Sequence, residues 1–78
     1  MKKTLMDMED AEKGVIISLE GGNFFRKKLS AMGISAGARI KKITGHFMGG
    51  PVIIKVKNSE IAVGCGMAKK ITVETGEN

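Results

Sequence analysis

The stretch from Gly14 to Ile34, GVIISLEGGNFFRKKLSAMGI, holds two periodicities and the switch between them. Val15, Ile17 and Leu19 alternate with Ile16, Ser18 and Glu20, the two-residue period of a strand with one buried face. Gly21-Gly22 ends that strand, and the Asn23 side-chain oxygen can accept from the amides of Phe25 or Arg26, which makes Asn23 the expected N-cap of a helix. Phe25, Leu29 and Met32 then fall at i, i+4 and i+7 on one face, while Arg26, Lys27 and Ser30 point away. Gly33 stops the helix as a left-handed C′ residue, with Ile34 folding back on Leu29 in a Schellman ending.

Working outward, Ser35-Ala36-Gly37 reads as a turn, and Ala38 to Phe47 as a strand with Ile40 and Ile43 three apart. That spacing breaks strict alternation and predicts a bulge or bend, with Gly45 a bend point. Met48 to Pro51 is a loop, after which Val52, Ile54 and Val56 resume alternation. A two-residue turn at Asn58-Ser59 would set Lys57 opposite Glu60, Val56 opposite Ile61 and Ile54 opposite Val63, so that the apolar residues of both arms share a face. Gly64 to Ala68 is a tight turn or one helical turn, and Ile71 and Val73 alternate with Thr72 and Glu74 in a closing strand. Before the first strand, Met1 to Lys13 mix Leu5, Met6 and Met8 with charges, a lead-in expected to tuck one or two side chains into the core. Five short strands with one helix after the first predict an all-β chain, a small SH3-like, partly open barrel. An OB-like barrel is the alternative, disfavoured because its helix normally comes later.

At 78 residues the chain has room for one hydrophobic core, so 1–78 is expected to be a single domain with its core over about 5–74 and a frayed tail over 75–78. Trp and Tyr are absent and Phe occurs only at 24, 25 and 47, so aliphatic side chains must fill that core. A lone cysteine, Cys65, can close no disulfide within the chain, and a reducing cytosol is the expected location. Asp7, Glu9, Asp10 and Glu12 interrupt any apolar run near the start, so no signal peptide is expected, and no stretch is long enough to span a bilayer.

Chemistry-bearing constellations are sparse. His46 and Cys65, the only imidazole and thiol, are the candidate metal donors, with Met48 and Met67 nearby in sequence. Holding a transition metal takes more fixed donors than one His and one Cys on separate loops, and the acidic residues sit at the two ends of the chain; no metal site and no cofactor are expected. Gly21-Gly22-Asn23 lacks the Lys-Ser or Lys-Thr pair and parallel sheet of a phosphate loop. No Ser-His-Asp set exists, and a Cys65–His46 pair has no orienting group near it in sequence, so catalytic residues are not expected and the chain does not read as an enzyme.

Charge is where the sequence is uneven. The net charge is +5, and no Asp or Glu occurs from Gly21 to Ser59, a span that carries Arg26, Lys27, Lys28, Arg39, Lys41, Lys42, Lys55 and Lys57. The expected interaction surface is Arg26, Lys27 and Lys28 on the helix, joined by Lys41 and Lys42, with Phe24 at the edge of the apolar stripe and Phe47 in the loop. Its bland reading is a solvated face that keeps the protein soluble. A nucleic-acid surface would want interleaved aromatics, which the absence of Trp and Tyr disfavours.

The ordered strings VIISLEGGN (15–23), RKKLSAMGI (26–34), Gly37, HFMGGPV (46–52) and AKKITV (68–73) resemble the FeoA family of ferrous-iron transport proteins, over about Leu5 to Glu74. Met-Gly-Ile followed by Gly37 is the most specific element; Asp10-Ala11, where a Pro-Gly turn is common, and Cys65, at an often polar position, depart from the pattern. The resemblance implies an SH3-like domain in the cytoplasm, working beside the FeoB ferrous-iron transporter through its cytosolic GTP-binding portion, with no catalytic residues to carry over. FeoA-like domains also occur behind helix-turn-helix modules in metal-dependent repressors; with no such segment upstream, a stand-alone accessory protein is the expectation. The alternatives are a small basic barrel that binds nucleic acid, and a regulator that binds a transition metal directly.

Overall fold

Alternating aliphatic residues form strands wherever the sequence places them, and a strand that the alternation does not signal is added in front. In the computed structural model, which describes residues 1–44 and 50–76, the strands are β1 (Lys2–Thr4), β2 (Lys13–Leu19), β3 (Arg39–Thr44), β4 (Val52–Val56), β5 (Ser59–Val63) and β6 (Ile71–Thr75). Helix α1 (Asn23–Ala31) joins β2 to β3, a single-turn helix α2 (Cys65–Ala68) joins β5 to β6, and a 3-10 turn (Leu5–Asp7) follows β1. All pairings are antiparallel, in one open sheet of order β1-β6-β2-β3-β4-β5.

The six strands correct the expected five. Lys2-Lys3-Thr4 carries no apolar alternation; it is a strand because β6 offers it a free edge, pairing Lys2 with Glu74, Lys3 with Val73 and Thr4 with Thr72. Behind it Leu5 and Met8 are buried, as expected of the lead-in. The expected fraying from residue 75 is corrected by the same contact: Thr75 ends β6, is 6% exposed, and its amide donates to the Met1 carbonyl.

In β2 the inward face differs from simple alternation. The register shifts between Ile16 and Ser18, so Ile16 and Leu19 point into the core while Val15 is 38% exposed. Val15-Ile16-Ile17 is apolar throughout, so either parity could be buried, and the bulge with its added twist decides. The bulge expected in β3 is present between Lys42 and Thr44. Gly45 lies outside the described residues.

The β4–β5 hairpin turns at Lys57-Asn58, one residue earlier than expected, and pairs Val56 with Ser59, Ile54 with Ile61 and Val52 with Val63. The slip is two residues along the ladder, so every side chain keeps its face: Val52, Ile54, Val56 and Val63 are all buried. The core is aliphatic, as the composition demands, with Leu5, Ile16, Leu29, Ile34, Ile54 and Ile71 among its fully buried side chains, each contributing about 1.5–3 kcal/mol.

Candidate functional site

Helix α1 stands on the barrel by a narrow footing. Leu29 is its only buried residue among those described, and Phe25 is half-buried against the core. Met32, expected on the same stripe, is 39% exposed; the helix ends at Ala31 and the chain turns away before a third apolar turn can form. The Schellman ending is present, with the Ile34 amide donating to the Leu29 carbonyl and the Gly33 amide to that of Ser30. At the other end the N-cap is Gly22 and not Asn23: the Arg26 amide donates to the Gly22 carbonyl, so Asn23 lies within the first turn and makes no cap.

Phe25 is held on three sides. Its ring lies against Gly21, where a Cβ would sit 2.5 Å from the ring, and the Lys70 ammonium is 5.6 Å from the ring centroid, a cation–π distance. With Phe25 turned in, its neighbour Phe24 turns out and is 83% exposed. Lys27 and Lys28, at i+3 and i+4, are exposed on its side, Arg26 is exposed further round the helix, and α1 contains no carboxylate. Four of the seven expected surface residues, Phe24, Arg26, Lys27 and Lys28, therefore share one helix.

The other three do not join them. Phe47, with His46, lies outside the described residues. Lys41 projects from the sheet. Lys42 is a correction: it is 2% exposed, and its ammonium donates to the carbonyls of Met6 and Met8, tying the lead-in to β3. Its position was readable, since a strand that buries Ile40 must point residue 42 the same way. A long stem lets the amine reach backbone oxygens that would otherwise be buried without donors.

Lys41 instead joins a group that the linear charge pattern does not reveal. Lys13 pairs with Lys41 across β2–β3, and Lys41 with Lys55 across β3–β4, while Val15 pairs with Arg39 in the adjoining row. These side chains and Lys57 line an open groove of about 740 Å³ that also meets Met1 and Glu74. The sheet thus gathers a second basic surface, most of it from residues distant in sequence.

Two carboxylates are held by groups of the lead-in. Glu12 is held below the usual carboxylate range chiefly by the Glu9 amide, which donates to it, and by Lys3 at 3.2 Å. Glu74 is lowered mainly by the Met1 ammonium, which donates to it. These are the ion pairs found among the described residues, and both involve the lead-in.

Cys65 begins α2, half-buried, with its thiol 3.2 Å from the Gly50 carbonyl. Among the described residues no group of three or more His, Cys, Asp or Glu side chains converges as a metal site. Among the described residues no helix is long and apolar enough to cross a membrane.

A model of the FeoA domain family matches residues 3–75. The chain belongs to the FeoA family. This FeoA protein is 38% identical over 69 residues to "Putative Fe(2+) transport protein A" of Methanocaldococcus jannaschii, a match covering 88% of this chain and 82% of that one. Its fold is similar to the crystal structure of an iron uptake regulatory protein, FeoA, with TM-score 0.90 and 34% identity over 97% of this chain and all of that one. The NMR structure of an FeoA-like protein from Clostridium acetobutylicum matches with TM-score 0.83 and 25% identity, over 99% of this chain and 90% of that one. The SH3-like class expected from the strand pattern is that of these FeoA structures.

Proposed function

We propose that this FeoA protein is a cytosolic accessory of ferrous-iron uptake that binds rather than catalyses, docking on the cytosolic GTP-binding portion of the FeoB transporter through helix α1. One observation carries this reading: α1 presents Phe24, 83% exposed, with Lys27 and Lys28 at i+3 and i+4 on its side, Arg26 exposed further round, and no acidic residue on the helix. An aromatic anchor with two lysines beside it suits an acidic protein surface that offers an apolar pocket. The half-buried Phe25 and buried Leu29 hold that face, so binding needs little reordering of the helix.

The test is a pull-down and titration against the FeoB cytosolic domain with and without GTP. Phe24→Ala is expected to weaken binding by about 2 kcal/mol, roughly 30-fold. The triple reversal Arg26→Glu, Lys27→Glu, Lys28→Glu is expected to abolish it, with the melting temperature within a few degrees of the parent. Undiminished binding by both variants would refute the assignment. Retention of RNA by the parent, lost steeply with salt, would favour a nucleic-acid surface instead.

A further inference from the structure

The groove on the sheet stands apart from α1, and the inference drawn from it does not depend on the FeoB reading. Its decisive feature is register. Lys13, Lys41 and Lys55 face one another directly across three neighbouring strands. Residues so placed have Cβ atoms about 5 Å apart, and like charges directly opposite destabilise a sheet. Arg39 lies two residues along β3 on the same face, and Lys57 closes that row just past the end of β4. Glu60 faces Lys55 only on the outer side of the group, and Glu74 at the opposite rim is held by the Met1 ammonium. Five cations therefore share one groove, floored by the partly exposed Val15, with the carboxylates at its edges: Glu74 faces Val15 from β6 and Glu60 faces Lys55 from β5.

We propose that this groove binds a compact, multiply charged phosphate anion, a di- or triphosphate chain. The dimensions select it. The lysine row spans two inter-strand steps, about 9–10 Å, and the two rows are about 7 Å apart along the strands. An extended acidic peptide crossing such an area presents one or two carboxylates to it, since same-side residues repeat only every 7 Å or so. A triphosphate chain places three or four charges in the same span, within a screening length of all five cations. The lysines act as mobile point charges along the chain, and the Arg39 fork is suited to two oxygens of one phosphate. The mutual repulsion of the lysine row in the unliganded sheet becomes part of the driving force for binding.

The experiment is a thermal melt of the full chain in sodium tripolyphosphate, against sodium chloride of matched ionic strength and against oligoglutamate, followed by ATP and GTP. Tripolyphosphate at about five times its Kd is expected to raise the melting temperature by about 4–8 °C, with chloride giving no comparable rise. Lys41→Thr, which removes the central lysine, is expected to raise the melting temperature without anion at low salt and to lose the tripolyphosphate shift. Lys55→Thr is a second variant with the same expectation, should the first fold poorly. A larger shift with a nucleoside triphosphate than with tripolyphosphate identifies a nucleotide as the source; an equal one identifies the bare phosphate chain. A tripolyphosphate shift no greater than that of chloride, a shift that survives in the folded variants, or an equal shift with oligoglutamate would overturn the proposal.

Discussion

At the scale of single residues, Gly21 is the most tightly constrained of the described glycines. Its φ of +139° is one that L side chains rarely adopt, and a Cβ there would penetrate the Phe25 ring. Gly21→Ala is expected to cost roughly 1–3 kcal/mol in urea unfolding. Gly66→Ala in α2, where an added Cβ meets nothing, is expected to be neutral or slightly stabilising. Equal losses in the two variants would show that the ring contact has no bearing on stability. Phe25 was legible as a core-facing residue, but the reason Phe24 is so exposed was not, because it depends on a ring seated over a glycine that no spacing rule announces. Lys42 is the opposite case: alternation from Ile40 pointed inward, and the habit of assigning charge to the surface pointed outward. Alternation prevails because the Met6 and Met8 carbonyls are within reach of the ammonium.

Among the elements, faces were readable and registers were not. Apolar period two identified β4 and β5 and their buried sides, yet turns at Lys57-Asn58 and Asn58-Ser59 bury the same residues, so the pattern cannot separate them. Lys57 takes the left-handed conformation at φ 57°, a modest local cost that the ladder outweighs. Lys41 and Lys55 stood out in sequence as part of an acid-free basic span, but their alignment with Lys13 did not, because the three become neighbours only once β2, β3 and β4 are in register. The lead-in is held by the pairing of β1 with β6, by buried Leu5 and Met8, and by the Lys42 ammonium. Lys42→Met keeps most of the stem and removes the donor to two carbonyls, so a loss of about 1–3 kcal/mol is expected in urea unfolding, about 4–8 °C in melting temperature for each kcal/mol. Hydrogen exchange should show the residues around Met6 and Met8 opening first. An unchanged stability would mean that water replaces the ammonium without penalty.

For the whole molecule, acid acts on the pairing of the lead-in with the rest of the sheet. The carboxyls of Glu12 and Glu74 lie below their ordinary value of 4.5 in the folded protein, so each contributes stability that is present above about pH 4.5 and is lost as pH falls through the lowered folded value. Glu12→Gln is expected to be less stable than the parent at pH 7, with the difference shrinking towards zero below that folded value. Urea unfolding at pH 7, 4.5 and 3 checks it; a difference undiminished between pH 7 and pH 3 would assign the effect to packing.

The strand order has a consequence for how such a chain is made. β6, the last of the described strands to be synthesised, lies between β1 and β2, the first two. Until it emerges from the ribosome, neither early strand has its partner on that side, and Leu5 and Ile16 have no completed interior to enter. Assembly is therefore postponed until Ile71 to Thr75 have been made, and a nascent chain halted a few residues short of Ile71 remains a client for chaperones and proteases rather than a smaller version of the domain.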